Sequence, residues 1–297
     1  MVDSNRNNLI SKSELREFIK GYSREFSWVN EVNENFDLPA QLKKGTFTSS
    51  SMNLPVGYYI YIPDIYFEDP NRRFRSVYYL HGGRPGNEAR SVYISNFLED
   101  IISNTSIEPA LYIFVNGGEL SHYNSNEKNS FGEDIFINEL IPYIDKKYRT
   151  ISTRNALGLE GFSQGGRGAT RYMFKYPELF GTVAAGGASY MMEKLIQENN
   201  GIEDDPRDND EAIYYVGEGN DAWSLAKIHM DSGKRTPKLL LWSGREDMNF
   251  KSIEEYSSYL EKFSIGHDFL AIEGIDHNPF LFYEKAGERL MRFHQEN

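Results

Sequence analysis

Cysteine is absent from the 297-residue chain. Its absence excludes disulfides, a thiolate nucleophile and zinc–thiolate sites. Basic charge is in deficit, with 32 Lys+Arg against 44 Asp+Glu and a formal net charge of -12. A nucleic-acid partner needs a basic face for the phosphate backbone, so none is expected. The acidic balance reads as solubility. No apolar run is long enough to span a bilayer, so no membrane partner is expected either. The opening MVDSNRNNLI lacks the charged-then-apolar order of a signal peptide. The expected location is cytoplasmic for the chain as it stands, and secreted or periplasmic if an export signal precedes it. Repeats and low-complexity tracts are also missing, and no pattern specifies an oligomeric state.

Short apolar runs alternate with amphipathic segments after about Asn30, which predicts an α/β architecture with a largely parallel sheet. GYYIYIPDIY alternates and reads as an early, half-exposed strand. SVYYLHGG, ALYIFVNGG, ALGLEGFS, GTVAAGGAS, KLLLWSG and FLAIEG read as buried strands, and most end in glycine or another small residue. In open α/β sheets, ligands bind beyond the carboxyl ends of the strands. Between the runs lie helical patterns. Phe136, Leu140 and Ile144 share one face of EDIFINELIPYIDKKY, where Pro142 should kink or divide the helix. GGRGATRYMFKYPELF should stop near Pro177, and SIEEYSSYLEKFS and EKAGERLMRFHQ are further amphipathic helices. Residues 191–237 read as an insertion over the sheet edge or a cap beside the site, with ENNGIEDDPRDNDEA acidic and loop-like.

Chemistry concentrates at LGLEGFSQGGRGAT, residues 157–170. A Gly-x-Ser-x-Gly pentapeptide is a weak signal alone. Here it lies between a strand candidate and a helix candidate, the context of a nucleophile elbow. Gly161 and Gly165 must be small so that strand and helix can approach, and Gly166 fits the same crowding. Ser163 is therefore the expected nucleophile. The order along such a chain is Ser, then Asp or Glu, then His. His277 follows the final strand and is the expected base. His81 and His122 precede the serine, His229 lies in an amphipathic helical pattern, His267 comes before the last strand, and His294 lies in the C-terminal tail. The acid follows the preceding strand, where Glu246 and Asp247 stand side by side; Asp247 is favoured as the shorter carboxylate on a short loop. An oxyanion hole needs two backbone N–H groups. Gln164 should supply one. The HGG loop should supply the other, from Gly83 or alternatively Gly82, with His81 a hydrogen-bonding support of that loop.

From about Gly45 onward the sequence resembles the putative-esterase family of α/β-hydrolases, which includes esterase D-like, feruloyl, acetylxylan and enterochelin esterases and mycolyltransferases. The resemblance rests on YYLHGG, ELIPYIDKKYRT, GFSQGGRGATRYMFKYPELF, LAKIHMDSGKRTPKLLLWSGREDMNF and GIDHNP. It implies a three-layer α/β-hydrolase fold with a mostly parallel central sheet; ahead of it, ELREFIKGY is expected to form a short N-terminal helical extension. It also implies Ser163, Asp247 and His277 as nucleophile, acid and base. Three departures separate this chain from parts of the family: the oxyanion loop has no cysteine, few residues precede Gly45, and the histidine is followed by Asn278 and Pro279 instead of Asp-Trp. The expected function is serine carboxylic-ester hydrolysis of acetyl, feruloyl or other small acyl or aryl esters of carbohydrates, with no required cofactor. Acyl transfer to a sugar or alcohol is the alternative enzyme reading, and a non-catalytic binding module the alternative class. The predicted organisation is an extension over residues 1–30 and an esterase domain over 31–297.

One motif lies outside this scheme. DSNRNNLISKSE fits an EF-hand calcium loop, with Asp3, Asn5, Asn7, the Leu9 carbonyl, Ser11 and Glu14 as the expected ligands. Asn8 stands where the usual glycine would be, and no entering helix precedes it. Ser11 and Glu14 equally form a capping box for the helix that follows.

Overall fold

The computed structural model describes residues 26–32, 36–204 and 213–296. The candidate calcium ligands Asp3, Asn5, Asn7, Leu9, Ser11 and Glu14, and the extension's expected helix, lie outside the described residues.

Twelve strands are described. They are β1 Leu42–Ser49, β2 Leu54–Tyr61, β3 Ser76–Leu80, β4 Leu111–Val115, β5 Asn124–Ser125, β6 Ser130–Phe131, β7 Leu157–Phe162, β8 Thr182–Gly186, β9 Ile202–Asp204, β10 Ile213–Tyr215, β11 Lys238–Gly244 and β12 Asp268–Ile272. Eight form one sheet in the order β1-β2-β4-β3-β7-β8-β11-β12. β1 and β2 pair antiparallel, β2 joins β4 antiparallel, and every later pairing in the sheet is parallel.

The central strands feed two apolar layers, which is why they read as continuous runs. Tyr78, Leu80, Ile113, Leu159, Val183 and Leu241 face one layer. Val77, Tyr79, Phe114, Ala184, Leu240 and Trp242 face the other. The principal helices are α1 Ile94–Asn104, α2 Ile141–Lys147, α3 Gln164–Lys175, α4 Tyr190–Glu198, α5 Ala222–Ser232, α6 Phe250–Lys262 and α7 Pro279–Phe293. Helices α2, α3, α5 and α6 cover the first layer, and α1 and α7 cover the second. A π-helical turn, Ile135–Leu140, leads into α2, which carries Pro142 in its first turn. The proline has no N–H to donate, so the change of helical register falls where its absence costs least.

Four readings are corrected. GYYIYIPDIY is not half-exposed: Tyr58 through Tyr61 are buried on both faces. The Tyr59 hydroxyl exchanges hydrogen bonds with Asn30 and Val32 of the preceding segment, so polar tyrosine tips are satisfied inside. FLAIEG is an edge strand, with only Leu270 of β12 fully buried. β1, missed because LKKGTFTS is polar, is the opposite edge, where lysines suit a strand with one unpaired side. His294 is not in a free tail. It caps α7, is buried, and lies 2.9 Å from Thr182 Oγ1 and 3.3 Å from Glu160 Oε2.

The stretch between β8 and β11 holds α4, the antiparallel β9–β10 ribbon and α5. ENNGIEDDPRDNDEA is thus partly a strand: Ile202, Glu203 and Asp204 pair with Tyr215, Tyr214 and Ile213.

Candidate active site

Ser163 sits between β7 and α3 with φ 59 and ψ -117, an unfavourable backbone conformation for a residue with a Cβ. The surroundings leave little alternative. A Cβ on Gly161 would run into the Gly165 backbone, one on Gly165 into the Leu80 carbonyl, and one on Gly166 would lie 2.6 Å from the Gly186 oxygen. The Ser163 N–H donates to Gly186 O at 2.8 Å, fixing the turn to β8.

The structure brings Ser163, His277 and Asp247 together, although 114 residues separate the first two. His277 Nε2 lies 3.0 Å from Ser163 Oγ, and His277 Nδ1 lies 2.9 Å from both oxygens of Asp247. A carboxylate only accepts, so Nδ1 carries the hydrogen and Nε2 turns its lone pair to the serine hydroxyl. The Asp247 side chain is fully buried and accepts a further 2.8 Å bond from the Asn249 N–H. Asn249 Nδ2 donates to Gly187 O at 2.9 Å, tying this loop to the end of β8. Glu246 does not reach the histidine ring. Its Oε2 accepts from Ile275 N at 2.9 Å, and its own N–H donates to Ile275 O, so it braces the His277 loop. Asn278 and Pro279 start α7: Asn278 Oδ1 accepts from Phe280 N and Leu281 N, and Pro279 occupies the first turn, where an N–H is dispensable.

The HGG loop passes close over the serine. A Cβ on Gly82 would lie 3.1 Å from Ser163 Cβ, and Gly83 has φ +77. His81 Nε2 accepts from Gly117 N at 3.1 Å, so the ring hydrogen is on Nδ1, 3.3 Å from Gly82 O. A trans peptide points its N–H opposite to its C=O. His81 therefore turns the Gly83 N–H away from itself. His122 Nε2 donates to His81 O at 2.9 Å, and the two rings lie 4.5 Å apart. Burial lowers both histidines, His122 to about 3, so both are neutral. His229 and His267 bond Thr236 and Ser257, remote from the serine.

A pocket of about 310 Å³ opens over Ser163, Gln164 and His277. Sequence reasoning missed much of its wall: Arg84, Arg90, Arg167, Met192, Glu203 and Met248. Arg84 and Arg167 carried a faint signal, because each stands within four residues of an expected site residue. Glu203 carried none; it arrives through the β9–β10 ribbon.

This strand order, with a strained serine between a parallel strand and a helix, defines an α/β-hydrolase. The family described as "Putative esterase" matches residues 49–267, and the chain belongs to it. Esterase Rv1288 of Mycobacterium tuberculosis strain H37Rv is 30% identical over 135 residues, covering 44% of this chain and 28% of that protein. Esterase MT1326 of strain CDC 1551 matches to the same extent. Among solved structures, substrate-bound FphF, a fluorophosphonate-binding serine hydrolase of Staphylococcus aureus, superposes with TM-score 0.72 at 17% identity, covering 86% of this chain and 98% of that one. The feruloyl esterase module from Clostridium thermocellum, an S954A mutant complexed with sinapinate, gives TM-score 0.63 at 21% identity over 92% and 97%.

Proposed function

We propose that the protein hydrolyses carboxylic esters through Ser163, His277 and Asp247, acting on acetyl, feruloyl or other small acyl or aryl esters of carbohydrates. His277 Nε2 takes the Ser163 proton as Oγ bonds to the acyl carbon. The carbonyl pair moves onto oxygen, which the N–H groups of Gly83 and Gln164 stabilise. The intermediate collapses, the bond to the alcohol oxygen breaks, and His277 returns the proton to that leaving group. Water repeats the sequence on the acyl-enzyme and frees the acid. Asp247 holds the imidazole in the required tautomer.

The observation that carries this reading is the continuous series from Ser163 Oγ through His277 to Asp247, at 3.0 and 2.9 Å, at the floor of an open pocket. The substrate class draws on the pocket's modest size, which suits a short acyl or single aryl group better than a long lipid chain, and on neighbours of similar fold solved with sinapinate and ferulic acid. The test is hydrolysis of p-nitrophenyl acetate and butyrate, methyl ferulate and acetylated xylan by the wild-type protein and by Ser163→Ala. Equal rates for the two proteins would overturn the serine mechanism. Cleavage of long-chain triglycerides alone would overturn the substrate class.

A further inference from the structure

The protein is strongly acidic overall, yet the lining of its Ser163 pocket has the opposite sign. Three guanidinium groups, Arg84, Arg90 and Arg167, line it, against the single carboxylate of Glu203. A cleft with low-dielectric walls focuses such a charge, and a substrate there feels the local sign more than the distant net charge.

The inner part of this wall is built and buried. The side chains of Arg84, Arg167 and Glu203 are 7%, 4% and 4% exposed. Arg84 Nη1 pairs with Glu203 Oε2, and Arg167 Nη2 lies 3.4 Å from Glu203 Oε1 and also donates to Gln164 Oε1. Burial pushes the Glu203 carboxyl up, but Arg167 and Arg84 outweigh it and hold the group ionised below its ordinary range. Glu203 is thus already spent between two cations. Arg84 Nε and Arg167 Nε and Nη1 are enclosed and have no hydrogen-bond partner among the described residues, and Arg167 Nε stands 4.0 Å from Glu193, so what these two arginines present to the pocket is positive charge and not a spare N–H. Arg90 closes the other side. Its guanidinium lies where it would meet a Cβ on Gly83 at 2.8 Å, beside the N–H assigned to the oxyanion. Its Nη1 donates to Pro85 O at 3.2 Å.

We propose that this arginine wall selects substrates bearing a carboxylate close to the scissile ester. The proposal rests on the serine-hydrolase reading of the same pocket. Guanidinium matches a carboxylate in geometry as well as charge. The carboxylate has two possible sources. It belongs to the acyl part, as in a hemi-ester of a short dicarboxylic acid, or to the alcohol part, as in an acylated uronic-acid sugar.

Two matched pairs of esters test it. p-Nitrophenyl hemisuccinate against p-nitrophenyl butyrate places the charge on the acyl side. 4-Acetoxybenzoate against phenyl acetate places it on the leaving side. The kcat/KM ratio of anionic to neutral ester is measured at low salt and at 0.5 M salt, in wild type, Arg84→Gln and Arg90→Gln. A charge-assisted pair predicts a preference on the order of tenfold in one of the two pairs. That preference should shrink with salt and fall towards unity in at least one variant. Labelling of Ser163 by a fluorophosphonate probe shows that each variant still presents an assembled site. A wild-type ratio at or below unity in both pairs overturns the proposal, even where neutral esters are cleaved well. A preference that neither variant reduces, with labelling intact, overturns the arginine assignment. Failure to cleave any ester, with no fluorophosphonate labelling, overturns the underlying serine-hydrolase reading instead.

Discussion

The carbonyl oxygen of Leu80 occupies the space into which a Cβ on Gly165 would project. The end of β3 and the first turn of α3 are therefore in backbone contact, and the helix starts where it does because nothing larger than hydrogen fits between them.

Gly165→Ala should cost stability by overpacking, about 1–3 kcal/mol or more, since the obstacle is backbone and cannot rotate away. Urea unfolding of the variant gives the number. An unchanged midpoint would mean that the elbow tolerates a wider spacing than the structure indicates.

The two neighbouring carboxylates should separate cleanly in kinetics. Asp247→Asn disturbs the group that faces His277 Nδ1 and should lower kcat on the order of 10^3- to 10^4-fold. Glu246→Gln retains an acceptor for Ile275 N and should stay within about tenfold of wild type, equivalent to roughly one weakened hydrogen bond. Reversed ranking would move the acid to Glu246.

Acid should destabilise the fold through His122. Its folded pKa is depressed to about 3, whereas an unfolded histidine titrates near about 6.5. The unfolded chain thus binds the extra proton in between. The stabilisation is complete above the unfolded value and is lost progressively as pH falls from there towards the folded one, by up to about 1.4 kcal/mol per pH unit. His81 acts in the same direction. Glu88 and Glu193, raised by burial, act in the opposite one, so the comparison with His122→Gln isolates this residue. Unfolding free energies between pH 7 and 5 should slope less in that variant; parallel slopes would refute the assignment.

Glu203→Gln should be costly for a side chain remote from the sheet. It strips Arg84 and Arg167 of their shared counter-charge in a buried setting, where breaking such a pair costs about 3–5 kcal/mol. Denaturant melts test this. A loss under about 1 kcal/mol, the range of an exposed pair, would show that water solvates the two guanidiniums in the native state.

Much of the fold was legible because the central parallel strands are covered on both faces and therefore read as apolar runs, most of them ending in small residues near the site. Ser163, His277 and Asp247 were selected by their place after particular strands, and the structure brings those three together. What resisted reading shares a physical cause. β1 is an edge strand in which only Phe47 and Ser49 are buried, and its lysines masked it. β2 looked amphipathic because tyrosine counts as polar until its hydroxyl finds a buried partner. Glu203 looked like one more charge in an acidic stretch. Its partners are Arg84 and Arg167, which lie 119 and 36 positions away in the chain, beyond any local pattern.

The backbone strain at Ser163 belongs to the turn and not to the hydroxyl. Alanine at that position would inherit it in full, whereas glycine would be free of it. Under the mechanism proposed above, a lineage released from selection for hydrolysis would drift towards glycine at this site and gain stability as it did so. Serine at a φ of 59 is a backbone cost that the proposed chemistry would repay.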